Sequence, residues 1–239
     1  KTTTAINFCA ALASLEKNVL LIDLYPQGHS TCGLGIDVEN GTKTLYHLLS
    51  PLENQPSFFD TVRTVKPFFH LLPSNRRLAA LEEELSMVEG RERYLAALLG
   101  EVWESNDHTY DFIVIDCPPN LGVLSYNALH ACDAVIIPVE PSYFSLHGLA
   151  KMSETIQAVN PQRANEIEVH ALLTMFDSRT NFGREIYEEV KKYFKDSLFK
   201  AIIHDSVNFR EAAAAGMSIV DYDDKSSACK DYIHMATEY

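Results

Sequence analysis

The sequence predicts an α/β protein: a doubly wound, mostly parallel β-sheet with helices on both faces. Three observations carry this. Apolar runs of strand length alternate with stretches of helical period, the pattern of successive right-handed βαβ crossovers. The runs are continuous rather than alternating, as in VLLIDL and AVIIPV, so these strands are covered on both faces. No Gly/Ser-rich or Pro-rich linker, repeat or low-complexity tract divides residues 1–239, so the chain reads as a single domain.

The elements follow in order. Residues Thr3–Leu15 put Ala5, Phe8, Leu12 and Leu15 on one helical face. Val19–Leu24 is a buried strand, and His70–Pro73 is a shorter strand candidate. Arg77–Leu99 carries Leu78, Leu81, Leu85, Tyr94 and Leu98 at helical spacing, with Gly90 a candidate break. Phe112–Asp116 (FIVID), Ala134–Val139, Val169–Phe176 and Phe199–Ile203 read as strands. Ser145–Val159, Gly183–Phe194 and Ser226–Thr237 read as helices.

Composition excludes several classes of function. The chain has 33 acidic and 20 basic residues, a formal net charge of -13, so it is not a basic nucleic-acid module as a whole. Any DNA contact has to come from a local patch. No apolar stretch approaches the roughly 20 residues that span a bilayer, which excludes an integral membrane protein. No secretory pattern opens what is shown. The five cysteines are odd in number and form no CxxC pair, which argues against a disulfide framework or structural zinc and for a cytoplasmic protein. Cys9, Cys117 and Cys132 sit in apolar surroundings and read as small buried hydrophobes.

Ligands of parallel α/β sheets bind at the carboxyl ends of strands, so the chemistry is sought there. Lys1-Thr2-Thr3-Thr4 opens the first helix and matches the tail of a phosphate-binding loop, GxxxxGK[ST]. Asp23-Leu24-Tyr25-Pro26-Gln27-Gly28 follows one buried strand, and Asp116-Cys117-Pro118-Pro119-Asn120-Leu121-Gly122 follows another. A carboxylate in that position can hold magnesium, usually through water. The prolines stiffen a turn able to sense a γ-phosphate. Each aspartate alone would equally serve as a helix cap or turn former; two of them together with KTTT favour the nucleotide reading.

The segments KTTTAINFCAALA, VLLIDLYPQGHSTCGLGI, YDFIVIDCPPNLGVLSYNAL, DAVIIPVEPSYFSLHGL and LLTMFDSRTNFGREIYEEV together resemble the ParA/MinD family of deviant Walker A ATPases. The Soj-like branch of chromosome and plasmid partitioning is the most similar. The resemblance runs from Lys1 to the last helix. It implies a P-loop NTPase-like fold, with ATP and Mg2+ as cofactors. It further implies a homodimer closed around the nucleotides, a ParB-like activator protein and nonspecific DNA as a possible cargo surface. The location it implies is cytoplasmic, on the nucleoid if DNA is bound. By resemblance, Lys1 contacts the phosphates and counts with Asp23 and Tyr25 as catalytic. Thr2, Thr3, Asp116, Pro118, Pro119, Thr174 and Met175 bind nucleotide, and Thr2, Asp23 and Asp116 hold the metal.

The chain departs from the family pattern in two places. The pattern KGGxGK[ST] has a signature lysine five residues ahead of the loop lysine, whereas here the sequence starts at the loop lysine. The glycine loop and the central strand before it are therefore expected to belong to a longer chain. A molecule that truly began at Lys1 would be expected to bind ATP poorly, since unpaired groups in the sheet cost about 1–3 kcal/mol each. The second departure is Tyr25, where the family usually has a second aspartate that orients the attacking water. A phenol, with a reference pKa of about 10, is a poor base at neutral pH. Slow hydrolysis is the expectation; the alternative is that Tyr25 points outward from a mobile loop.

The family segment resembling IPRNVRLSEAP carries arginines implicated in DNA contact, but here His204, Asp205 and Asn208 stand in it, with Arg210 nearby. Arg179, Arg184 and Arg210 are the DNA candidates, joined by Lys191, Lys192 and Lys195. Glu188 and Glu189 allow the alternative of a solvated, mixed-charge helix face. The histidines His29, His130, His147 and His204 show no metal-ligand spacing, and neither Ser125 nor Ser145 sits in a nucleophile elbow. Two rival readings remain. One is a non-hydrolysing, nucleotide-regulated scaffold of the same fold. The other is a dethiobiotin-synthetase-like ligase, against which PQG and CPPNLG argue.

Overall fold

A computed structural model of the chain describes residues 1–38, 41–104, 110–177 and 180–239. The chain starts with helix α1 (Thr2–Ser14) and strand β1 (Val19–Asp23), then the short helices α2 (His29–Gly33), α3 (Leu45–Leu49) and α4 (Phe58–Thr61). Strands β2 (Arg63–Lys66) and β3 (Phe69–Leu72) come next, followed by α5 (Leu81–Glu84), α6 (Tyr94–Glu104), β4 (Phe112–Asp116) and α7 (Val123–Ala131). Then β5 (Ala134–Val139), α8 (Tyr143–Val159), β6 (Glu168–Phe176), α9 (Asn181–Phe194) and β7 (Leu198–His204) alternate. Helices α10 (Asn208–Ala214), α11 (Ile219–Tyr222) and α12 (Ser227–Glu238) end the chain.

The strands lie in a sheet of order β2-β3-β1-β4 and another of order β5-β6-β7. All pairings are parallel except β2 with β3. The α/β, doubly wound and mostly parallel class holds. The ladder of hydrogen bonds stops at β4 on one side and at β5 on the other. Their apolar residues Ile113, Val114, Ile115, Val135, Ile136 and Ile137 are accordingly only half-buried. Val19, Leu21, Phe69 and Leu71 share one core with Leu172, Phe199, Ala201 and Ile203, beneath α1 and α12. Burial of such apolar groups contributes about 25 cal/mol per Å2 removed from water.

The opposite faces are covered separately. Leu20, Ile22 and Leu72 pack against α3, α6 and α7. Ala171 and Leu173 pack against Leu149 of α8 and Ile186 and Val190 of α9. Alternate residues of β1 and β6 thus enter opposite cores, which explains the continuous apolar runs in the sequence. Side-chain caps fix helix starts: Thr180 accepts from Gly183 N–H before α9, Ser218 from Asp221 N–H before α11 and Ser226 from Cys229 N–H before α12.

The helix expected over Arg77–Leu99 is a correction. A 3-10 turn at Arg76–Ala80 leads into α5, and α6 begins only at Tyr94 after a second turn at Arg91–Arg93. Gly90 breaks the run with a left-handed backbone, φ +73°. Helix α7 has no counterpart in the sequence reading. Its Asn127 is fully buried, and its side chain accepts from Leu95 N–H at 3.0 Å and donates to Arg91 C=O at 2.8 Å. An amide serving a neighbouring helix start interrupts the apolar period that would have announced α7.

Candidate functional site

Strands β1 and β4 are hydrogen-bonded neighbours, and the last residue of each is an aspartate. The parallel pairing sets Asp23 directly opposite Asp116, and Leu24 N–H donates to Asp116 C=O at 2.9 Å. The sequence expectation that these carboxylates neighbour each other is met by the strand register itself. Both residues are buried, at 0% and 2% exposure. Among the described residues, no lysine, arginine or histidine nitrogen lies within 4.0 Å of either carboxylate. Burial pushes the Asp23 carboxyl up to about 6, against the opposing hydrogen bonds from Thr31.

The residues after β1 form the wall of the site. Gly28 takes a left-handed backbone, φ +63°, and a Cβ there would lie 3.1 Å from Ser74 C=O. Only glycine turns the chain at that point without strain. The turn feeds α2, whose Thr31 donates to Asp23 Oδ2 through its N–H at 2.8 Å and its hydroxyl at 2.7 Å. Ser30 donates its hydroxyl to Asp116 Oδ2 at 2.7 Å. Tyr25 N–H reaches Asp23 Oδ1 at 3.2 Å, and the Tyr25 ring stands edge-on to that of the exposed His29 at 4.9 Å.

Lys1 caps α1, and its Nζ donates to Pro118 C=O at 3.2 Å, bridging to the loop after β4. Thr2 and Thr3 are the first residues of α1, half-buried and exposed respectively. Pro118 is buried and Pro119 exposed. Burial raises the Cys117 thiol to about 12, so it stays protonated between the site and the core.

The other expected residues lie on other elements. Thr174 and Met175 are near the carboxyl end of β6, with Met175 exposed and in a left-handed backbone, φ +54°. Arg184 is on α9 and exposed, while Arg210 is on α10 with its Nη2 4.0 Å from Asp205 Oδ1. Arg179 lies outside the described residues. Lys192 pairs with Glu189 at 2.8 Å and Lys191 lies over the Tyr187 ring, which is the mixed-charge alternative for this helix face.

The donor set fits magnesium. Two buried carboxylates with no lysine, arginine or histidine nitrogen within 4.0 Å among the described residues are hard oxygen ligands. No larger cage of His, Cys, Asp and Glu forms among the described residues. Magnesium commonly needs only one or two carboxylates when phosphates and water complete its shell. The sequence reading missed Ser30, Thr31 and Ser74. The available signal was two hydroxyl residues in the first turn after a strand-end glycine.

Comparison with known proteins follows from this geometry. A family model described as an AAA domain matches residues 1–169. The sporulation initiation inhibitor protein Soj of Bacillus subtilis is 38% identical over 240 residues, covering 100% of this chain and 92% of that protein. The chromosome partitioning protein ParA of Myxococcus xanthus is 39% identical over 239 residues, covering 100% and 82%. Among solved structures, cobyrinic acid a,c-diamide synthase from Mycobacterium smegmatis with bound ADP and magnesium matches at 30% identity and a TM-score of 0.81, covering 99% and 87%. An ATP complex of Cyanothece McdA shares the fold, with a TM-score of 0.81 at 24% identity over 99% and 90% of the chains. With sequence likeness running end to end on one architecture, the chain belongs to the Soj/ParA family.

Proposed function

We propose that the protein is a partitioning or cargo-positioning ATPase that binds ATP with Mg2+ at the ends of β1 and β4. The observation that carries this is the Asp23–Asp116 pair: opposed in register, buried, and with no lysine, arginine or histidine nitrogen within 4.0 Å among the described residues. The family relatives are named for chromosome partitioning, and fold neighbours were crystallised with ADP, or an ATP analogue, and magnesium.

In this reading Lys1 and the first N–H groups of α1 hold the phosphates. Thr2 offers its hydroxyl, and Asp23 and Asp116 their carboxylates, to the metal, partly through water. Thr3 lies in the same turn, and Thr174 and Met175 border the nucleotide from β6. Magnesium, when bound, neutralises phosphate charge. The loops after Asp23 and Asp116 change order with the γ-phosphate, which gives a switch. The switch acts as a homodimer closed around nucleotide, and a ParB-like partner triggers it. The protein works in the cytoplasm, on the nucleoid where Arg179, Arg184 and Arg210 reach DNA. No described helix is long and apolar enough to cross a membrane.

Tyr25 favours a second reading. A phenol packed edge-on to His29 offers no carboxylate to an attacking water, so hydrolysis is slow or absent and the dimer is a nucleotide-regulated scaffold. Calorimetric titration of the native protein with ATP, with and without Mg2+, tests the first proposal. Absence of nucleotide binding under both conditions rejects it. Phosphate release with and without a ParB-like partner separates the two readings.

A further inference from the structure

Consecutive residues of one short helix hold different carboxylates of the site. Ser30 donates to Asp116 at 2.7 Å and Thr31 donates twice to Asp23, at 2.7 and 2.8 Å. All four residues are buried. The Thr31 hydroxyl also accepts from Ser74 N–H at 3.0 Å, and Ser74 Oγ donates to Tyr25 C=O at 3.0 Å. Tyr25 N–H closes the circuit at Asp23 Oδ1.

The proton count fixes the direction of this network. Ser74 N–H can only donate, so it takes a lone pair of the Thr31 hydroxyl. That hydroxyl has one proton, and Asp23 Oδ2, with no proton of its own when ionised, receives it. Thr31 therefore saturates Oδ2 and leaves Oδ1, reached only by the longer bond from Tyr25 N–H, as the oxygen open to a cation or its water. Ser30 makes the same choice at Asp116, whose carboxylate has no other hydrogen bond among the described residues.

We propose that Thr31 and Ser30 are positioning residues that select one oxygen of each aspartate and fix the separation of the pair for a divalent cation bound with nucleotide. The assignment rests on the ATP–Mg2+ reading above. Because the two grips lie on adjacent residues of α2, any displacement of that helix acts on both carboxylates together. Ser74 ties the same helix to the Tyr25 loop, so the loop's conformation reaches the cation through Thr31.

The test uses the native protein and a fluorescent ATP analogue, with Mg2+ titrated in and a parallel measurement in EDTA. Removing groups that orient metal ligands typically costs about 10–100-fold in metal affinity. Thr31→Val is expected to raise the Mg2+ midpoint by about 10-fold or more while nucleotide affinity in EDTA stays at the wild-type value. Thr31→Ser keeps the hydroxyl and restores the midpoint. Ser30→Ala shifts it in the same direction by a smaller factor. A folded Thr31→Val protein with a wild-type midpoint overturns the assignment, as does Thr31→Ser behaving like Thr31→Val. If Thr31→Val does not fold, a wild-type midpoint in Ser30→Ala overturns it. A wild-type protein that binds no nucleotide with or without Mg2+ instead rejects the ATP reading, and the assignment with it.

Discussion

Gly216 and Gly35 meet backbone to backbone: a Cβ built on Gly216 would lie 2.8 Å from Gly35 Cα, and both residues have positive φ, +69° and +67°. The contact ties the end of the α2 region to the turn between α10 and α11. Asn7 reinforces it by accepting Ile219 N–H at 2.7 Å.

Gly216→Ala is therefore expected to destabilise the fold. A left-handed backbone alone costs a non-glycine residue about 1–2 kcal/mol, and the overlap with Gly35 adds to that. Urea denaturation followed by circular dichroism measures it; an unchanged midpoint would show that the turn relaxes freely.

Asp23 makes stability depend on pH when no divalent cation is present. Its folded pKa, about 6, lies above the reference value of about 3.9. The folded state then holds more protons than the unfolded state, so this contribution is fully present below about pH 4 and fades as pH rises through about 6. Its size is on the order of 3 kcal/mol. Asp23→Asn should flatten that part of the stability–pH curve, and thermal melts across the range in EDTA would show a persisting slope if another group is responsible.

Tyr25→Asp restores a carboxylate in the loop that Ser74 and Asp23 hold through the backbone of residue 25. The backbone bonds survive the change. Phosphate release should rise by about 10-fold or more if a missing acid limits turnover. No gain in a variant that still binds ATP would place the limit elsewhere.

Arg210 stands 4.0 Å from Asp205, and both side chains are exposed. Asp205→Asn should strengthen binding to nonspecific DNA at low salt. It should also steepen the plot of log affinity against log salt by about 0.9, the share of one phosphate contact. Gel shifts over a salt series that show neither effect would remove Arg210 from any DNA surface.

The sequence made the buried strands easy to find, though not the partly exposed β2, because continuous apolar runs such as Val19–Ile22 need cores on both sides and the structure supplies them. It also showed Asp23 and Asp116, since a charge ending such a run has few reasons to be there. Ser30, Thr31 and Ser74 were hidden for a physical reason. Hydroxyl side chains are at home in solvent and in turns, and nothing local tells a buried one from an exposed one. Helix α7 was hidden by Asn127, a polar residue buried to serve Arg91 and Leu95.

The alignment of Asp23 with Asp116 has a consequence for how this protein tolerates change. Side chains alternate faces along a strand, so a one-residue slippage of β4 past β1 would bury one acid in the opposite layer. In the proposed cation site, folding error and functional error would be the same event. Substitutions in Leu20–Ile22 or Ile113–Ile115 that loosen the strand alignment will be felt first as lost cation binding, before the molecule itself melts.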